Sequence, residues 1–171
     1  MQNNISLDGL TRKRIYLFRH GEVSYIANGQ FVKEPNLVNL SAKGQKQASA
    51  IDENTKNVRY DRVVTSGLLR TIQTATPIAD RRGISIESHP GLIEYQWSPL
   101  SIADTSAAKI GFLFEDPEFQ TSIGGLETVD DFFARIVSQL TDLLREDWQQ
   151  IALVLHGAVN AAIMCLSLIH I

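Results

Sequence analysis

The chain is nearly without cysteine. Cys165 is the single one among 171 residues, so no internal disulfide can form and a reducing compartment is expected. It also has no unbroken apolar run of about eighteen residues, which argues against a membrane-spanning helix. Basic charge is scarce: 16 Lys and Arg stand against 19 Asp and Glu, so no global positive field exists to attract nucleic acid. The stretch Met1 to Lys13 is polar, with no apolar segment leading into a small-residue cleavage site, and a cytoplasmic location is expected. The HExxH, paired-cysteine and GxxxxGK[ST] patterns are missing, so no metal and no nucleotide loop is read. With little net charge of either sign, any anion site must be built locally from a few placed cations.

What is present is an alternation. Arg14-Ile15-Tyr16-Leu17-Phe18 is a short apolar run that stops at Arg19-His20-Gly21, the pattern of a buried strand entering a loop. Val23 to Asn39 has no sustained period and reads as a loop. Ser41 is placed to cap a helix running through Gln45, Ala48 and Ile51. Arg62-Val63-Val64-Thr65 reads as a strand ending at Ser66-Gly67. A helix follows from Leu68 to Arg82, with a kink expected at Pro77 because proline supplies no amide hydrogen. Ile84-Ser85-Ile86 alternates as a further strand, and a short helix is expected between Ile102 and Leu113. Val129, Phe132, Phe133, Ile136, Val137, Leu140, Leu143 and Leu144 keep helical spacing. Ile151 to Leu155 is a continuous apolar strand ending at His156-Gly157, and a buried helix is expected from Ala158 onward. Strands alternating with helices predict an α/β fold with a mostly parallel central sheet and helices on both faces. There is no internal repeat and no linker, so a single domain is expected.

In such sheets ligands bind beyond the carboxyl ends of the strands. Three expected strands end there in Arg19-His20, Thr65-Ser66 and His156. Each histidine can be read as a satisfied strand-end residue or as a reactive one. Gly after each lets backbone come close to a ligand, and Arg beside His20 offers a planar fork of donors suited to phosphate oxygens. Arg70 is either a solvated helix residue or a second phosphate clamp. Glu94 is either a solvated loop carboxylate or the group that gives and takes a proton.

At these residues the sequence resembles the histidine phosphatase superfamily, the phosphoglycerate-mutase-like family. Arg19-His20-Gly21-Glu22 matches its signature, and Leu40-Ser41-Ala42-Lys43-Gly44-Gln45-Lys46-Gln47-Ala48 is similar to its L[ST]xxGxxQA segment. Thr65-Ser66-Gly67-Leu68-Leu69-Arg70-Thr71-Ile72-Gln73-Thr74-Ala75 resembles SSPLxRxxQTA, with Gly67 where proline is usual. Leu92-Ile93-Glu94 fits LxE, Gly124-Gly125-Leu126-Glu127-Thr128 resembles GGES, and Leu153-Val154-Leu155-His156-Gly157 corresponds to the second histidine.

The resemblance implies a phosphomonoester hydrolase that works through a phosphohistidine on His20, with no metal and no cofactor. Arg19, Arg70 and His156 would surround the phosphate oxygens, Glu94 would be the proton donor, and Ser66 and Glu22 would touch or orient the pocket. Mutases of the family follow RHGE with Ser and then Trp-Asn, and follow LxE with basic residues. Here Val23-Ser24-Tyr25-Ile26 and Tyr95-Gln96-Trp97 stand in those places, so hydrolysis is the expected reaction and a mutase the alternative. A phosphate-binding domain with little turnover is a second alternative, suggested by Gly67. A short phosphohistidine-protein phosphatase is a third, disfavoured by the presence of Glu94. Tyr95 and Trp97 either line an apolar substrate pocket or pack in the core. The expected partner is a small phosphorylated metabolite, among sugar phosphates, cofactor precursors, nucleotides or phosphoprotein, with no nucleic acid or membrane. Relatives continue past the helix after the second histidine, whereas Leu166 to Ile171 reads as a non-native tail. The domain is therefore expected to be residues 1–165, with His170 given no role and self-association into a homo-oligomer expected from exposed apolar surface.

Overall fold

The computed structural model describes residues 12–27, 30–32, 34–95 and 127–169. Four strands form a sheet: β1 (Arg14–Arg19), β4 (Arg62–Thr65), β5 (Ile86–Ser88) and β6 (Gln150–Leu155). Their order is β1-β6-β4-β5, and every pairing is parallel. The expected α/β architecture is therefore the one observed. Four helices accompany the sheet: α1 (Ala42–Asn54), α2 (Leu69–Arg82), α3 (Val129–Arg145) and α4 (Gly157–Ile169).

The central strand β6 shows why both faces are covered. Its alternating side chains divide between two cores: Ile151, Leu153 and Leu155 pack with Phe132, Ile136 and Leu143 of α3 and Val159 and Ile163 of α4. Ala152 and Val154 pack on the other face with Ala75, Ile78 and Ala79 of α2. All five of these β6 residues are buried, as a strand with helices on both sides requires.

Local chemistry fixes the helix ends. Ser41 caps α1, its Oγ accepting from Gly44 N at 3.0 Å. Thr128 and Asp131 close a reciprocal capping box at the start of α3. Helix α2 continues through Pro77 and ends at Gly83, which adopts the left-handed conformation with φ 63°. The amide of Ile84 is still tied to Ala79 O at 3.1 Å. This explains why β5 starts at Ile86 and not at Ile84 as the alternation predicts. The stretch Val23 to Asn39 is not all loop: it holds the short antiparallel pair β2 (Ile26–Ala27) and β3 (Gln30–Phe31) and a 3-10 turn at Pro35–Leu37. Elements this short carry too little periodicity to be seen in sequence.

The apolar stripe of α3 is wider than the seam it buries. Phe132, Ile136 and Leu143 are buried, whereas Phe133, Val137 and Leu144 face solvent. Helix α4 runs on to Ile169, and Leu166 packs against the core. Among the described residues no helix is long and apolar enough to cross a membrane. The helix expected between Ile102 and Leu113 lies outside the described residues.

Candidate active site

The parallel order places the carboxyl ends of β1, β6 and β4 side by side, so Arg19-His20, His156 and Ser66 share one rim. Residues 136 apart in sequence thus become neighbours: the imidazoles of His20 and His156 meet edge to face with ring centroids 5.3 Å apart. A backbone bond from His20 N to Leu155 O (2.9 Å) extends the β1–β6 ladder up to this contact.

His20 is held in one tautomer. Its Nδ1 lies 2.8 Å from the carbonyl oxygen of Gly21. A carbonyl can only accept, so Nδ1 carries the proton and Nε2 keeps its lone pair. Burial is the main cause that lowers the His20 pKa from 6.5 to about 4; the Gly21 bond opposes it, and the Arg70 and Arg19 charges add to it. The ring is therefore neutral near pH 7, with a free nitrogen lone pair.

Gly21 is glycine for a reason other than ligand approach. A Cβ there would come 2.6 Å from Gly44 O, and one on Gly44 would collide with Glu22 O. The two glycines let α1 seat its first turn on the strand-end loop. The loop is then pinned all round: Gly21 N donates to Thr74 Oγ1 (2.9 Å), Glu22 N to Gln47 Oε1 (2.8 Å) and Ser41 N to Glu22 O (2.8 Å). The Glu22 carboxylate accepts from Ser41 Oγ (2.9 Å) and pairs with Lys43 Nζ (2.7 Å). The Lys43 bond, followed by that of Ser41, lowers its pKa. Glu22 thus lines the mouth of the site while its oxygens are engaged with α1.

His156 is fully buried, and its Nε2 lies 2.8 Å from Ser66 Oγ. Its Nδ1 is buried with no hydrogen-bond partner. Burial first, then the charges of Arg70, His20 and Arg19, pulls its pKa far below 6.5. Arg70, on the first turn of α2, is only 4% exposed. It is not the solvated residue that a helical arginine usually is. One of its terminal nitrogens donates to Pro35 O at 3.1 Å, but its Nε has no partner. Burial lowers its pKa, while Tyr25 and Glu94 nearby work in the opposite direction.

Arg19 and Glu94 flank the start of α4. A Cβ on Gly157 would lie 3.7 Å from the Arg19 guanidinium carbon and 3.9 Å from Glu94 Oε2. Those are ordinary contact distances, so a Cβ would fit at Gly157, and the backbone there lies directly between the two side chains. Glu94 Oε1 accepts from Tyr95 N (3.0 Å) and Oε2 from Ala158 N (3.4 Å), so the carboxylate sits at a helix N-terminus. Arg135 of α3 steadies the segment before it, donating to Gly91 O (2.6 Å) and Ile93 O (3.1 Å) while pairing with Glu127. Arg135 escapes a sequence reading because it interrupts an apolar helix stripe without belonging to a motif. Its place next to Ile136 on the buried side of α3 was the available signal. Tyr95 is core: it is 4% exposed, stacks edge to face on Phe132 at 5.4 Å and donates its hydroxyl to Glu127 O at 2.9 Å. Trp97 and Gly124-Gly125 lie outside the described residues.

A cavity of about 300 Å³ opens in front of His20, lined also by Arg19, Gly21, Glu22, Val23, Tyr25 and Gln47. Among the described residues no group of three or more His, Cys, Asp or Glu side chains could share a metal ion. Arg19 and His20 line this cavity, while His156, Arg70 and Glu94 lie close to them. Imidazoles and guanidiniums gathered in this way, with a carboxylate nearby, have the chemistry to hold an anion and move a proton.

A family model described as the histidine phosphatase superfamily (branch 1) matches residues 15–170. The chain belongs to that superfamily. Among curated relatives, a probable phosphoglycerate mutase GpmB of Enterobacter sp. (strain 638) is 36% identical over 81 residues, covering 47% of this chain and 37% of its own length. A 2-carboxy-D-arabinitol-1-phosphatase of Triticum aestivum is 26% identical over 170 residues, covering 91% of this chain but 32% of its own length. The chain thus spans about a third of the length of these relatives. Among solved structures, the native mycobacterial glucosyl-3-phosphoglycerate phosphatase Rv2419c superposes with a TM-score of 0.70 at 24% identity, over 88% of this chain and 76% of that one. The shared fold is that of the phosphoglycerate-mutase-like superfamily members.

Proposed function

We propose that this superfamily member hydrolyses a phosphomonoester through a phosphohistidine on His20. The observation that carries the reading is the pair of buried, unpartnered nitrogens, Arg70 Nε and His156 Nδ1, beside a neutral His20. Buried polar nitrogens without partners cost free energy that a bound phosphate, with its acceptor oxygens and a proton to share, recovers.

His20 Nε2 attacks phosphorus while Arg19, Arg70 and His156 hold the non-bridging oxygens and offset the charge that builds on them. Glu94 gives its proton to the departing alkoxide. The same carboxylate then takes a proton from the water that opens the phosphohistidine, restoring His20. Ser66 supports His156, and Glu22 holds the His20 loop to α1. The named phosphatase relatives support hydrolysis over phosphoryl transfer to a second substrate hydroxyl, as does the neutral lining of Val23, Tyr25 and Gln47. A small phosphorylated metabolite is the substrate class proposed, in the cytoplasm.

Quenching a reaction with an aryl phosphate during turnover is expected to yield an acid-labile phosphoryl group on His20. Phosphate binding without that intermediate would instead indicate a binding domain. Because the His20 pKa is lowered to about 4, the nucleophile stays unprotonated well below pH 6.5. The acid limb of kcat/KM is expected near pH 4 to 5 and not at the ordinary histidine value. A limb at 6.5 would show that burial does not set the charge of this ring.

A further inference from the structure

Both histidines are oriented by threonines of α2, and the directions of those hydrogen bonds differ. Thr71 Oγ1 donates to Leu68 O at 2.7 Å, and Thr74 Oγ1 donates to Arg70 O at 2.7 Å. Each hydroxyl has one proton, so each threonine oxygen can only accept from anything else. Thr74 accepts from Gly21 N, whose carbonyl in turn takes the His20 Nδ1 proton. Thr71 lies 3.2 Å from Ser66 Oγ, and with the Thr71 proton engaged on Leu68 O, Ser66 is the donor in that bond. The single Ser66 proton is then spent, and across its 2.8 Å contact with His156 Nε2 the serine is the acceptor. His156 Nε2 therefore carries the imidazole proton, and the buried Nδ1 holds a lone pair.

With the Thr71 proton held on Leu68 O at 2.7 Å, the reverse order would leave Ser66 and Thr71 as two oxygens facing each other with no proton between them. They are 2% and 0% exposed, so water cannot relieve that contact. His156 thus differs from the donors around it: it faces a bound phosphate with a lone pair and needs a proton in between.

Resting on the reading that phosphate binds between the two arginines and the two histidines, we infer that the Thr71–Ser66 chain makes His156 Nδ1 a proton acceptor, so that the site takes its phosphate together with one proton. A monoanion brings that proton on its own P–OH. A dianion draws it from solution, and the proton is then shared between a phosphate oxygen and Nδ1. The charged and titratable groups around this proton are Arg19 at the end of β1, His20 just after it, Arg70 from α2 and Glu94 beside the first turn of α4. The arginines oppose a bare imidazolium, which keeps the proton on the shared bond. Ser66 and Thr71 are positioning residues: they act through His156.

Calorimetric titration with inorganic phosphate at about pH 8.5, well above the second phosphate ionisation, tests this when run in two buffers of different ionisation enthalpy. The wild-type chain is expected to take up about one proton per phosphate bound. Thr71→Val frees the Ser66 proton for His156 Nε2, turns Nδ1 into a donor and is expected to bring the uptake close to zero. Thr71→Ser, which keeps the hydroxyl, retains the uptake. Glu94→Gln also retains it, which separates His156 from Glu94. His20, whose Nε2 also has a lone pair, is not touched by the Thr71–Ser66 chain, so uptake at His20 would persist in Thr71→Val. Should Thr71→Val fail to fold by circular dichroism, Ser66→Ala reads the same loss. Wild-type binding without proton uptake overturns the inference and leaves the proposed function standing, as does full uptake in a folded Thr71→Val. No phosphate binding by the wild type overturns both.

Discussion

The two ends of the sheet are built on opposite terms. At the amino ends of the strands several charged side chains are matched. Asp61 accepts from the amides of Gln149 and Gln150, both at 2.7 Å, and Arg62 pairs with Glu87 and Glu146. Lys13 reaches the carbonyls of Leu144 and Glu146 and lies 4.7 Å over the Trp148 ring. At the carboxyl ends Arg70 and His156 are buried with unpaired nitrogens, and His20 faces His156 across neutral rings. One end satisfies its polar groups and adds to stability. The other leaves them unsatisfied at some cost in stability, as sites prepared for a ligand do.

Substitutions at the two ends should therefore separate activity from stability. His20→Ala is expected to lower kcat by roughly 1,000-fold or more against an aryl phosphate, since it removes the nucleophile. The same variant should flatten the stability profile in acid. The His20 pKa falls from 6.5 unfolded to about 4 folded, so the unfolded chain binds the extra proton. Stability is complete above pH 6.5 and declines as pH falls toward 4, and urea midpoints measured across that window should show a smaller decline in His20→Ala. Arg70→Met is expected to reduce kcat/KM by roughly 100-fold while leaving the urea midpoint unchanged or higher, because it removes a buried, poorly paired charge. A large loss of stability here would break the comparison.

At the matched end the signs reverse. Arg62→Met is expected to cost about 1–2 kcal/mol in urea unfolding, because the side chain is 15% exposed and bridges two carboxylates. Its kcat should be unaltered. Asp61→Asn should have the smallest effect, about 0.5 kcal/mol after allowance for solvent, again with unchanged kcat. The amides of Gln150 and Gln149 hold the Asp61 carboxyl below its ordinary pKa. Its contribution is thus present above that ordinary value and lost as pH falls through the folded one, so Asp61→Asn should matter least in strong acid.

Much of the fold is legible in sequence because burial writes itself as periodicity. The run Ile151 to Leu155 is apolar at every position since both sides of β6 are covered, and α3 repeats its apolar residues at helical spacing. Periodicity does not tell which side of an apolar stripe is used: Phe133 and Val137 look the same as Phe132 and Ile136 in sequence, yet only the latter are buried. The site residues are legible where chemistry and punctuation coincide, as in Arg19-His20-Gly21. They are not legible where the role belongs to a bond partner. Thr71, Thr74, Gln47 and Arg135 are ordinary helix residues until the fold sets Ser66, Gly21, Glu22 and the segment before Glu94 against them.

Gly21 marks the division most clearly. The alternation of strands and helices, the parallel sheet and the strand-end positions of His20 and His156 can be read from residue order, because hydrophobic period and glycine punctuation are local properties. That Gly21 makes room for Gly44, that Arg70 is buried with an unpartnered Nε, and that the two imidazoles meet at one rim emerge from the assembled fold alone. Those facts depend on which groups approach across the sheet rim, and hydrogen-bond direction and desolvation are properties of that approach.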